Sequence, residues 1–113
     1  AKYGRAISAQ SGYLDPKSQT APKVNVYNSA YYGNLAPNVG TTLKVLIDEG
    51  VQFAVCSVAT HAVAAAIASA AGGDAQAIYA ELTANLVSNA RMVPAGIVAV
   101  NRAQERGYTL VAG

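Results

Sequence analysis

The pattern of hydrophobic and polar positions divides the chain near residue 40. Over residues 1–39 the apolar positions follow no sustained period, and Gly, Ser, Asn, Pro and Tyr are frequent. Such a segment predicts a long irregular arm with at most one edge strand, in the alternating stretch KVNVYN at residues 23–28. Over residues 40–113 the apolar positions become periodic, which predicts the folded core of the protein.

Helical and strand patterns alternate along this core. A helix is predicted where Leu43, Leu46 and Ile47 share one face, and Gly50 ends it. The following VQFAVC is a short, nearly continuous apolar run, which is typical of a strand covered on both faces. Asp74 is expected to cap the start of a later helix. The remaining predicted elements are two helices, a strand, a helix and a final strand, at residues 59–73, 74–87, 90–95, 96–107 and 108–112.

The order of these elements indicates the fold class. Two stretches, LIDEG–VQFAVC and RAQERG–YTLVA, repeat the sequence helix, Gly, strand. Strands that alternate with helices favour right-handed crossovers and parallel pairing. The expected class is therefore α/β, with a mostly parallel sheet flanked by helices on both faces.

The chain has one cysteine, Cys56, and one histidine, His61. Cys56 ends the predicted strand, and the next helix is predicted to begin within about three residues, so its thiol should meet the N-terminal N–H groups that stabilise a thiolate. Thr60 and His61 lie in the first turn of that predicted helix, within reach of the sulfur, and Ser57 follows Cys56 directly in the sequence. A free cysteine at the end of an apolar strand is also often a small, inert, buried side chain, and the sequence leaves both interpretations open.

Composition and charge narrow the classes of function. The chain is 52% hydrophobic and 12% charged, with a formal net charge of +2, and its eight Lys and Arg residues form no run. Nucleic-acid binding by phosphate neutralisation therefore has little support, whereas a weakly polar surface favours self-association. No apolar stretch approaches the roughly 18 residues of a membrane span. One Cys, one His and six scattered carboxylates do not predict a metal site.

The motifs of common enzyme classes are also missing from the sequence. AVCSV lacks the glycines of a nucleophile elbow, and AAGGDAQ lacks the pattern of a dinucleotide- or phosphate-binding loop. We therefore expect no cofactor. The sequence favours a carrier or binding protein over a classical enzyme, but it does not exclude an enzyme.

Two blocks of the core, LIDEGVQFAVCSVA and ARMVPAGIVAVNRAQERGYTLV, resemble the DsrE/DsrF-like family. The resemblance extends over about residues 40–112 and is to a poorly characterised branch, in which KVNVYN lies in a loop. It implies a three-layer sandwich with a five-stranded, mostly parallel sheet, and homo-oligomers that are often trimers or hexamers. In the sulfur-relay members, a cysteine at the position of Cys56 carries sulfur as a persulfide and passes it to a partner protein.

The chain departs from this family in one respect, because nothing in it matches the strand–helix–strand unit that opens the family domain. Three interpretations stay open: the sequence is a C-terminal portion of that domain with residues 1–39 as a remnant, the strands come from another chain, or the arm replaces them. Two hypotheses of function follow. In the first, Cys56 is a sulfur carrier or redox thiol, with Ser57 and His61 as weaker contributors to its environment. In the second, the protein is a non-catalytic oligomeric or small-ligand-binding module with an inert Cys56. The compartment is open: cytoplasmic, or periplasmic if an export signal has been removed.

Overall fold

The computed structural model of the chain describes residues 2–35, 38–39 and 41–111. These residues form a mixed α/β fold with a small parallel sheet. The two strands are β1 (Phe53–Cys56) and β2 (Ala90–Val93). The helices are α1 (Gly4–Ser11), α2 (Leu43–Asp48), α3 (Ser57–Ala71), α4 (Ala75–Ala84) and α5 (Gly96–Glu105), with 3-10 segments at Val26–Asn28 and Ala30–Leu35.

The sheet brings together two strands that are far apart in the sequence. β1 and β2 pair in parallel, with Phe53 opposite Ala90 and Cys56 opposite Val93. α3 and α4 form the connection between the strands and pack against each other. The predicted α/β class and the parallel pairing of these two strands are therefore confirmed.

The helix boundaries follow local capping chemistry. The side chain of Asp74 accepts a hydrogen bond from the N–H of Ala77 at 3.0 Å, which confirms it as the cap of α4. After α2, Gly50 has a φ of 89°, a left-handed conformation that suits a residue without a side chain. The N–H groups of Gly50 and Val51 bond back to the carbonyls of Ile47 and Leu46, the pattern of a Schellman motif.

The predicted strand at residues 108–112 is wrong over its described residues, 108–111. The chain leaves α5 through Gly107 in the same way as it leaves α2, with a φ of 91°. Tyr108 and Leu110 are then exposed, and no strand pairing forms in the described part of this segment. An alternating pattern predicts a strand only where a neighbouring strand supplies hydrogen-bond partners, and residues 108–111 have no such neighbour in the described structure.

The N-terminal arm contains more structure than its pattern predicts. Residues Gly4–Ser11 form α1, which packs on α3. The interpretation of residues 23–28 as an edge strand is wrong, because Val26–Asn28 is a 3-10 turn in which the Asn25 side chain accepts a hydrogen bond from the N–H of Tyr27. The main buried cluster joins this arm to the core, through Ala6 of α1, Ala64 and Ile67 of α3 and Ile78 of α4.

A second, smaller buried cluster consists of Val26 and Tyr32, and a hydrogen bond from Tyr32 to Asp15 joins it to the loop after α1. Asp15 is 6% exposed, and its carboxylate accepts hydrogen bonds from the Tyr32 hydroxyl and from the N–H groups of Lys17 and Ser18. The Tyr32 hydroxyl lowers the pKa of Asp15, and the bond to Asp15 raises the pKa of Tyr32 to about 12. Because of these two shifts, Asp15 stays ionised and Tyr32 stays neutral over a wider pH range in the folded protein than in the unfolded chain.

Tyr32→Phe should therefore destabilise the protein in a pH-dependent way. The stabilisation linked to Asp15 is present above its unfolded pKa, near 4, and is lost as the pH falls through the lower folded value. The stabilisation linked to Tyr32 is present below its unfolded pKa, near 10, and is lost as the pH rises towards 12. Thermal unfolding at pH 7 should show a Tm lower by roughly 5 °C. An equal difference from wild type at pH 2 and pH 7 would contradict the role of this pair.

No helix in the described part of the chain is both long enough and apolar enough to cross a membrane.

Candidate functional site

Cys56 lies at the junction between β1 and α3. It is the last residue of the strand and also the N-cap of the helix, which begins at Ser57. Its sulfur accepts a hydrogen bond from the N–H of Ala59, at a nitrogen–sulfur distance of 3.5 Å. Cysteine thus occupies the capping position that Ser or Asp more often fills, and its sulfur takes the place of their oxygen.

A second helix also begins beside this sulfur. Since Cys56 is paired with Val93, the chain that leaves β2 passes Pro94 and Ala95 and starts α5 next to Cys56. A Cβ added to Gly96 would lie 3.9 Å from the Cβ of Cys56, which shows how closely the two backbones approach. The positive ends of two helices therefore converge at the carboxyl edge of the sheet.

These backbone groups change the acidity of the thiol. The N–H of Ala59, and then that of Gly96, lower the pKa of Cys56 below its ordinary value, with a smaller contribution from the N–H of Val58. Burial acts in the opposite direction and is outweighed. The arrangement stabilises a thiolate with neutral hydrogen-bond donors, which is a known route to reactive cysteines.

The surface around Cys56 is apolar. The cysteine itself is half-buried, so its sulfur is neither enclosed in the core nor fully exposed. Val58 in the first turn of α3 is 65% exposed, and Ile97 in the first turn of α5 is 69% exposed. Two aliphatic side chains thus stand in solvent at the start of the same two helices that flank the sulfur.

Ser57 and His61 come together with a residue that the sequence did not single out as functional, Tyr79 of α4. The hydroxyl groups of Ser57 and Tyr79 share a hydrogen bond of 2.9 Å. The His61 ring stacks on the Tyr79 ring, with centroids 3.7 Å apart and an angle of 3° between the planes. Among the described residues, no hydrogen bond joins Ser57 Oγ or the His61 ring to the sulfur of Cys56.

The sequence pattern predicted the packing of the Tyr79 ring but not the hydrogen bond of its hydroxyl. Its spacing with Ile78 and Leu82 predicts an apolar stripe on α4, and the ring does pack beside the core. Its hydroxyl nevertheless bonds to Ser57, 22 positions earlier in the chain. A helical stripe reports which side is buried, but it does not reveal which polar group a tyrosine hydroxyl will meet.

The described residues contain no cluster of three or more His, Cys, Asp or Glu side chains that could hold a metal ion. At this edge of the sheet one thiol accepts a hydrogen bond from Ala59 of α3 and lies beside the first residue of α5, Gly96. The fold and the site together define a mixed α/β protein with a cysteine at the point where the N-termini of two helices meet. Comparison with known proteins found no matching family model, curated protein or solved structure.

Proposed function

We propose that this chain is a thiol-based sulfur carrier of the DsrE-like type, in which Cys56 holds the transferred sulfur. The observation that carries the proposal is the position of one half-buried sulfur at the start of both α3 and α5, where the N–H of Ala59 bonds to it and Gly96 lies beside it. A carrier needs a thiolate at moderate pH and a route for a second sulfur atom to reach it. It needs neither a metal ion nor a catalytic triad.

The transfer step exchanges one sulfur–sulfur bond for another. The Cys56 thiolate attacks the outer sulfur of a donor persulfide, R–S–SH. The donor S–S bond breaks, a new S–S bond forms on Cys56, and the donor leaves as the thiolate R–S⁻. An acceptor thiolate then removes the outer sulfur in the same way and restores the Cys56 thiolate. The two steps involve no net oxidation, and thiolate character governs the rate of each.

The surroundings of the sulfur suit transfer between proteins. The exposed Val58 and Ile97 flank Cys56 with apolar surface that a partner could cover. The proposal includes a homo-oligomer, a trimer or a hexamer, and a completed three-layer sandwich, since the described sheet has two strands and both are edges. In this proposal Ser57 and His61 contact Tyr79 rather than the sulfur, and they have no role in the transfer.

The rate of alkylation by iodoacetamide as a function of pH tests the state of the thiol. We expect the native protein to react with an apparent pKa below the ordinary value of about 8.5. After treatment with a low-molecular-weight persulfide, intact mass should increase by one sulfur atom, and reduction should reverse the gain. Cys56→Ser should abolish both signals, because the chain has no other cysteine.

His61→Ala is the matched control, because its ring contacts Tyr79 and has no described hydrogen bond to the sulfur. We expect this variant to keep the pH profile and the persulfide. A thiol that titrates at or above about 8.5, or that reacts only after unfolding, would overturn the carrier proposal. The alternative function, a binding module with an inert Cys56, would then be favoured.

A further inference from the structure

A groove of about 450 Å³ lies between the carboxyl end of β2 and one side of α5. Val93 and Pro94 line it at the strand, and Tyr108 lines it beyond the helix. The pairing of Val93 with Cys56 places the groove next to the proposed carrier site. The other residues that line it recur at the spacing of one helix face: Val98, Ala99, Arg102, Ala103 and Arg106.

This groove carries an excess of positive charge. Arg102 and Arg106 line it, and none of the described residues that line it is acidic. The Nη1 atom of Arg102 lies 2.9 Å from Oε2 of Glu105 in an ion pair, whereas Arg106 forms no ion pair with another described residue. Arg91 is exposed on the same face of β2 as Val93, two residues away. Three arginines thus stand against one carboxylate on this side of the molecule, which favours an anionic partner.

The groove also has apolar surface beside its arginines. Val93, Pro94 and Val98 supply aliphatic groups, and Val98 is 48% exposed. The guanidinium group of arginine pairs with a carboxylate through two parallel hydrogen bonds. A peptide segment that combines carboxylates with small or apolar residues therefore matches the groove better than a bare inorganic anion, which would leave the apolar surface uncovered.

The two arginines lie at different distances from Cys56 along α5. The helix begins beside this cysteine, where a Cβ on Gly96 would be 3.9 Å from the Cβ of Cys56. A helix rises about 1.5 Å per residue, which places Arg102 roughly 9 Å and Arg106 roughly 15 Å along the axis from Gly96. An extended chain advances about 3.3 Å per residue. Carboxylates roughly three to five positions from a cysteine that meets Cys56 are therefore within reach of these arginines.

We propose that the protein which exchanges sulfur with Cys56 presents its own cysteine on an extended acidic segment, with Asp or Glu roughly three to five positions from that cysteine. The cysteine of the segment meets Cys56 between the exposed side chains of Val58 and Ile97. The carboxylates of the segment pair with Arg102 and Arg106 in the groove. This inference rests on the proposed carrier function, because sulfur transfer is what brings the second cysteine to Cys56.

Two synthetic peptides test this charge preference. Each has one cysteine, flanked on both sides at the third and fifth positions by glutamate in one peptide and by lysine in the other, with glycine elsewhere. Both are supplied as 2-pyridyl disulfides. The Cys56 thiolate attacks the peptide sulfur, the peptide–pyridyl S–S bond breaks as a peptide–Cys56 S–S bond forms, and the pyridine-2-thiolate that leaves takes up a proton and is measured by absorbance as pyridine-2-thione. We expect the glutamate peptide to react roughly fivefold faster at low ionic strength, and the two rates to converge in high salt.

Arg106→Glu should remove the preference for the glutamate peptide, whereas Arg5→Glu, the same change of charge at an exposed position of α1, should leave it unchanged. Iodoacetamide is neutral and should alkylate Cys56 equally fast in the wild type and in both variants. Where iodoacetamide still reports an activated thiol, equal rates for the two peptides, or an equal loss of preference in both variants, would overturn the acidic partner and leave the carrier function standing. A thiol inert to iodoacetamide and to both peptides would overturn the carrier function, and this inference with it.

Discussion

Gly4→Ala should destabilise the protein by about 1–3 kcal/mol, as overpacking of a close contact does. A Cβ at this position would lie 1.9 Å from the carbonyl oxygen of Pro22, a separation that no relaxed structure permits. The atom in the way belongs to the backbone, so α1 or the loop at Pro22 must move. Because Ala6 of the same helix packs in the main buried cluster, that movement would disturb the core.

The direction of this effect is opposite to the usual one, which makes it diagnostic. Alanine normally stabilises a helix relative to glycine by up to about 1 kcal/mol. Arg5→Ala, at the adjacent exposed position of α1, provides the control and should change stability by less than about 0.5 kcal/mol. Urea unfolding would measure both. A Gly4→Ala variant as stable as wild type would show that α1 and residue 22 do not pack as described.

The core elements could be predicted because local chemistry fixes them. The apolar run before Cys56 and the apolar run that ends at Val93 both form strands, and Asp74 caps α4 through its own side chain. These signals lie within a few residues of the element that they specify. By contrast, α1 has only eight residues, of which Gly4 and Ala6 are buried, and such small side chains in so short a helix give a weak periodic signal.

The parts of the site that the sequence did not reveal depend on contacts between distant segments. The sequence placed Cys56 at one helix N-terminus, and the structure adds a second, because pairing of β1 with β2 brings Gly96 to the sulfur. The partnership of Ser57 with Tyr79 arises in the same way, from the packing of α3 on α4. No spacing rule along one chain encodes either approach.

The second helix N-terminus can be tested at a single backbone atom. Gly96 is the first residue of α5, a position where proline is well tolerated, and the preceding Ala95 is extended, with φ −148° and ψ 139°. Gly96→Pro therefore removes one N–H group that faces the sulfur while α5 is retained. Gly96→Ala keeps that N–H and also adds a Cβ, at an ordinary contact distance of 3.9 Å from the Cβ of Cys56.

Gly96→Pro should raise the pKa of Cys56 relative to Gly96→Ala, because the thiolate loses one of its donors. At neutral pH we expect alkylation to slow roughly threefold, since the smaller thiolate fraction is partly offset by a more nucleophilic thiolate. At a pH at which the thiol is fully ionised in both variants, Gly96→Pro should be alkylated as fast as Gly96→Ala or faster. Steric obstruction by the proline ring would instead slow the reaction at every pH. A Gly96→Pro profile that coincides with that of Gly96→Ala would mean that α3 alone sets the acidity of Cys56. The N-terminus of α5 would then have no part in stabilising the thiolate.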